Sequence, residues 1–147
     1  MPEVIGIDHI YVTVSDIEKS ESFYDAVMGV LGFRKKQFQL GGEKHVQYYN
    51  RHLSYILRPA RTTQVHNPYA PGLHHFCLRV ENENEVKEAA AKLKDQNIFV
   101  SEPRLYPEYA PDYFAVFLDD PDGLRLEITN YRQERRQRHD NWQNFEP

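Results

Sequence analysis

The chain changes its hydrophobic period twice over, in the same order each time. Along IGIDHIYVTV (residues 5–14) apolar and polar positions alternate, with Ile10, Val12 and Val14 on one face and His9, Tyr11 and Thr13 on the other. Alternation with β-branched and aromatic residues predicts a strand. Ser15-Asp16-Ile17-Glu18 has the S-x-x-E form that caps a helix start. Ile17, Tyr24, Val27, Met28 and Leu31 then recur at helical spacing until Gly29 and Gly32 mark the helix end. Three more strands are predicted over Phe33–Gln39, Lys44–Tyr49 and Leu53–Arg58, joined by turns at Gly41-Gly42 and Asn50-Arg51-His52. Residues 59–71, PARTTQVHNPYAP, keep neither period and read as a linker.

The same order then restarts. GLHHFCLRV (residues 72–80) is a strand in which Phe76, Leu78 and Val80 face the core and His75, Cys77 and Arg79 face away; parity sends His74 to the packed side. Asn82 with Glu85 caps a second helix whose apolar stripe is Val86, Ala89, Ala90 and Leu93, with Asn97 as its stop. Strands follow over Phe99–Arg104, Tyr113–Leu118 and Leu124–Thr129, the last two separated by the turn DDPDG. The chain thus reads as two βαβββ modules, residues 1–60 and 72–130, with a linker over 61–71 and a C-terminal tail over 131–147. His9 and His75 head equivalent strands 66 residues apart (75 minus 9). The expected fold is α+β: two modules curling a mixed sheet around a shared cleft, where the two histidines can converge.

Composition narrows the function. A chain of 147 residues can bury a core unaided, and its single cysteine excludes an internal disulfide framework. A net charge of −4 argues against a nucleic-acid binder, and no run is long and apolar enough for a membrane span. The start lacks the layout of a signal peptide, so a cytoplasmic location is expected. The basic tail, with Arg132, Arg135, Arg136 and Arg138, reads as a solvated, partly ordered segment, with Trp142 and Phe145 available to dock. His45, His52, His66 and His139 read as solvated surface residues.

One strand carries an anomaly. In GLRLEIT, Leu124, Leu126 and Ile128 form the apolar face while Glu127 points to the other side, where a charge needs a partner or a metal. His9, His75 and Glu127 together supply two imidazoles and a carboxylate. That set suits one divalent ion (Fe, Mn, Ni or Zn) with positions left open for substrate. Tyr106, Tyr109 and Tyr113, in RLYPEYAPDYF, are the candidate catalytic or pocket-lining tyrosines; each could equally be aromatic packing on a Pro-rich turn. Arg125 and Arg58 could bind an anionic substrate group or form plain salt bridges. Cys77 shows no activating partner.

Three segments in order, IDHIYVTVSDIEKSESFY, GLHHFCLRV and YFAVFLDDPDGLRLEI, resemble the vicinal oxygen chelate superfamily of glyoxalases, bleomycin-resistance proteins and extradiol dioxygenases. The resemblance spans residues 5–130. It implies metal positions at His9, His75 and Glu127, a small-molecule substrate and a homodimer. Many members place a fourth ligand, Glu or Gln, on the last strand of the first module, where the site-facing residues are here Ser54, Ile56 and Arg58. None of these is a good ligand, so the three-ligand branches fit the count better and Ile56 and Arg58 become substrate-side residues. The function it implies is a metal-dependent lyase, isomerase, transferase or dioxygenase on a small oxygenated substrate. The alternative is a metal-free, drug-sequestering protein of the bleomycin-resistance type.

Overall fold

The computed structural model describes residues 1–146. Eight strands form two four-stranded mixed sheets. The first contains β1 (His9–Val14), β2 (Arg34–Leu40), β3 (Glu43–Tyr49) and β4 (Ser54–Pro59), in the order β1-β4-β3-β2, with helix α1 (Ile17–Val30) between β1 and β2. The second contains β5 (His75–Val80), β6 (Arg104–Leu105), β7 (Phe114–Asp119) and β8 (Arg125–Asn130), in the order β5-β8-β7-β6, with α2 (Glu83–Asp95) between β5 and β6. In each sheet the first and last strands pair in parallel and the other neighbours antiparallel. The chain divides into two compact units. One comprises residues 1–67 together with the turn 120–124; the other comprises residues 68–119 and, among the described residues, 125–146.

In the first unit α1 lays Tyr24, Val27 and Met28 on the sheet face carrying Val12, Val14, Val46, Tyr48, Tyr55 and Leu57, all buried. In the second, the α2 stripe of Val86, Ala89, Ala90 and Leu93 is buried, as are Val116, Leu118, Leu126 and Ile128. Each sheet therefore buries one face under its own helix and turns the other face away from it, which is what strict strand alternation requires.

Four expectations are adjusted. The cap of α1 is Asp16, whose side chain accepts from the Lys19 amide at 3.0 Å, because the Ser15 hydroxyl and amide are both taken by the Asp122 carboxylate. The strand expected over Phe99–Arg104 shrinks to Arg104–Leu105. Pro103 has no amide to donate, and the Ser101 hydroxyl, in place of a backbone carbonyl, accepts from the Phe117 amide at 2.8 Å. His74 is exposed and precedes the strand instead of packing beneath it. His45 is 1% exposed rather than solvated; its Nδ1 lies 3.0 Å from the Glu43 carbonyl and its ring stacks on Phe38.

The tail is built more firmly than a solvated segment. It forms α3 (Gln133–Asp140) and a short 3-10 turn, Trp142–Asn144. Asp112 accepts from the Gln133 amide at 2.9 Å, and Arg136 donates to the Glu81 carbonyl and side chain. Trp142 stacks on Phe145 and stays 58% exposed.

The DPDG turn is pinned by a buried chain of hydroxyls. Tyr55 donates to Tyr24 at 2.9 Å, and Tyr24 donates to Asp120 Oδ2 at 2.8 Å. Asp120 Oδ1 accepts the amides of Asp122 and Leu124. Burial pushes the Asp120 carboxyl up, and these hydrogen bonds offset part of that. Replacing Asp120 by Ala strands the Tyr24 hydroxyl and two amides. The expected loss in urea denaturation of the full chain is about 2–4 kcal/mol, against a smaller loss for Tyr24→Phe, which takes a donor from Asp120 and an acceptor from Tyr55 but leaves Asp120 its backbone partners.

Candidate active site

The outward face of the second sheet assembles the unusual residues. Parallel pairing of β5 with β8 sets His75 opposite Arg125, Cys77 opposite Glu127 and Arg79 opposite Thr129. On the next strand, β7, Phe117 stands opposite Glu127 and Asp119 opposite Arg125. Residues directly opposite share a face, so His75, Cys77, Phe117 and Glu127 lie together.

Glu127 is only 3% exposed. Its Oε1 accepts a hydrogen bond from the Tyr113 hydroxyl, and its Oε2 lies 3.5 Å from His75 Nε2. That second separation is long for a charge-assisted hydrogen bond. Two atoms that each ligate a metal at about 2.1 Å with a tetrahedral angle between them stand about 3.4 Å apart, so the pair has the spacing of two ligands.

The predicted histidines are oriented in matching ways. His75 Nδ1 lies 2.7 Å from His74 Nδ1, so its Nε2 is the nitrogen turned to Glu127. In the first unit, His9 Nδ1 lies 2.6 Å from Asp8 Oδ2, leaving Nε2 uncommitted. In each module the preceding residue holds one ring nitrogen and leaves the other to act, which is the usual support of a ligating imidazole. The strands also correspond: His9 pairs with Ser54 as His75 pairs with Arg125, and Tyr11 with Ile56 as Cys77 with Glu127. Ile56, 7% exposed, thus occupies in the first sheet the place Glu127 holds in the second. The structure brings His75 and Glu127 together; His9 belongs to the other unit. Among the described residues no three His, Cys, Asp or Glu side chains group closely enough to hold an ion.

The tyrosine candidates separate. Tyr113 touches Glu127; burial, reinforced by that hydrogen bond, pushes its hydroxyl pKa up, so it stays a proton donor at neutral pH. Tyr106 is buried and stacks on Tyr109, which is 62% exposed. Both arginine candidates have acid partners. Arg58 Nη2 is 3.1 Å from Glu43, a carboxyl that Arg61 and Arg58 hold below the usual range, and Arg125 Nε is 3.5 Å from Asp119. The arginine that sequence reading passed over is Arg132, whose guanidinium lies 4.4 Å from the centre of the Tyr113 ring. Its position in a basic tail gave no signal that it would stack on Tyr113.

The outward-face geometry and the doubled βαβββ topology define a glyoxalase-type fold. A family model for the Glyoxalase/Bleomycin resistance protein/Dioxygenase superfamily matches residues 6–128, and the chain belongs to that superfamily. The Bacillus subtilis (strain 168) protein YqjT is 25% identical over 124 residues, covering 82% of this chain and 94% of its own. Among solved structures, a glyoxylase/bleomycin resistance protein/dioxygenase domain from Frankia sp. EAN1pec superposes with a TM-score of 0.72 at 18% identity, covering 88% of this chain and all (100%) of that one. A glyoxalase family protein from Enterococcus faecalis gives 0.67 at 22% identity, covering 85% and 97%.

Cys77 is exposed as a residue, yet its sulfur sits in a crowded surround beside Glu127 and Tyr113. Desolvation, and then the Glu127 charge, push the thiol up to about 12. Its thiolate fraction at pH 7.5 is then about a thousandfold below that of an ordinary thiol. Iodoacetamide should alkylate Cys77 in the folded chain at least about 100-fold more slowly than in the urea-unfolded chain. Equal rates would show that the sulfur is not surrounded as described.

Proposed function

We propose that the chain is a divalent-metal-dependent enzyme acting on a small oxygenated molecule, with His9, His75 and Glu127 as the metal ligands. The observation that carries this reading is the His75–Glu127 pair: a buried carboxylate oxygen 3.5 Å from an imidazole nitrogen, with both groups oriented from behind. His9 supports it as the equivalent residue of the equivalent strand, oriented by Asp8 in the same way. The donor set is borderline in softness and fits Fe, Mn, Ni or Zn. A metal held there would act as a Lewis acid toward substrate oxygens.

The chain's own residues would serve that chemistry by position. Tyr113, a donor at neutral pH, fixes one carboxylate oxygen and leaves the other turned to His75. Phe117, Tyr106 and Tyr113 pack edge to face and supply an apolar wall beside Glu127. Ile56 contributes an apolar side chain where a fourth ligand would otherwise stand, which supports a three-ligand site with positions open to substrate.

Elemental analysis of protein purified without chelator should find close to one transition metal per chain, or reach that level after loading with Fe, Mn, Ni or Zn. His75→Ala and Glu127→Gln should each bind at least tenfold more weakly. A wild-type chain that stays at background after loading overturns the metal reading and leaves a metal-free binding protein.

A further inference from the structure

Resting on the function proposed above, we infer that Arg132 is an anion-binding residue of the same site, so that the substrate is a small oxygenated acid. Among the described residues the Arg132 side chain has no hydrogen bond and no ion pair, and its Nε is buried without a partner. Other arginines differ: Arg136 on the tail holds the Glu81 side chain, and Arg125 and Arg58, on the sheets, are matched to Asp119 and Glu43. A half-buried guanidinium with unspent N–H donors is costly to maintain. Stacking on Tyr113 offsets part of that cost and fixes the plane of the fork.

Location supplies the rest of the argument. The ring under Arg132 is the ring whose hydroxyl donates to Glu127, so one tyrosine separates the guanidinium from the His75–Glu127 pair. A ligand whose anionic group forks onto Arg132 can therefore present its other oxygens toward the histidine and carboxylate. A guanidinium takes a carboxylate or a phosphate by the same two parallel N–H···O bonds. The shared chemistry is a terminal anionic oxygen pair next to further oxygens.

The test follows the Arg132 Nε–H resonance by NMR in the full chain, once stripped of metal and once loaded. The probes are glycolate, inorganic phosphate and the neutral control ethylene glycol. The resonance is identified by its loss in Arg132→Gln. Glycolate or phosphate, whichever anion geometry fits, should shift it saturably, and ethylene glycol should not. Judged from other amide shifts, Arg132→Gln should weaken anion binding about tenfold or more. Arg132→Lys should recover part of it. Anion binding that is equal with and without metal supports the arginine assignment while counting against the metal reading. Two results overturn the assignment: no shift with either anion in either metal state, or Arg132→Gln binding anions as the wild type does.

Discussion

Everything at the candidate site depends on one register, the parallel pairing of β5 with β8. Residues 75–80 and 125–130 are remote in sequence, and the pairing sets Cys77 opposite Glu127 and His75 opposite Arg125. Because strand side chains alternate with a period of two, a slip of one residue would turn Glu127 into the helix-packed core and bring Leu126 or Ile128 out. The register is held from below, where Leu126 and Ile128 pack with Val116, Leu118 and the α2 stripe. The apolar face thus specifies where the polar face stands, and burial of hydrocarbon is what positions a carboxylate.

The two modules use one plan for different ends. In the first sheet the corresponding register places Ile56 opposite Tyr11, and the ladder of charges moves outward to Glu43, Arg58 and Arg61. In the second it places a buried Glu beside a Cys, with a tyrosine hydroxyl donating to one carboxylate oxygen and an imidazole nitrogen 3.5 Å from the other. A buried charge is tolerated only when paired, and Glu127 has the Tyr113 hydroxyl on one oxygen and His75 beside the other. The asymmetry between Ile56 and Glu127 puts the carboxylate in the second sheet alone, while a histidine heads the first strand of both.

Much of this was legible along the chain, and the reasons are local. The period-two runs, the Asn82 cap, the Val86–Leu93 stripe and the positive-φ turn at Gly41-Gly42 follow from near-neighbour stereochemistry; most strands stand within a residue of where the pattern puts them, while β1 and β5 begin only at His9 and His75, inside the longer alternating runs 5–14 and 72–80. The misses were also physical. Ser15 matched a capping motif, but a turn more than a hundred residues away claimed it. The expected strand at Phe99 failed because Pro103 breaks its ladder. His45, in a polar stretch, is buried by the rings of Phe38 and Tyr11.

The sequence by itself determined the two βαβββ modules, the faces of their strands, and the choice of His9, His75 and Glu127 as residues needing a purpose. Periodicity and chemical type carry that information without knowledge of contacts. Only the tertiary structure decided which groups answer one another: that Tyr113 rather than Tyr106 or Tyr109 holds Glu127, that Arg58 and Arg125 are matched by acids, and that Arg132 is not. Charge pairing is set by distances across strands and loops remote in sequence, and a string of residue types does not contain those distances.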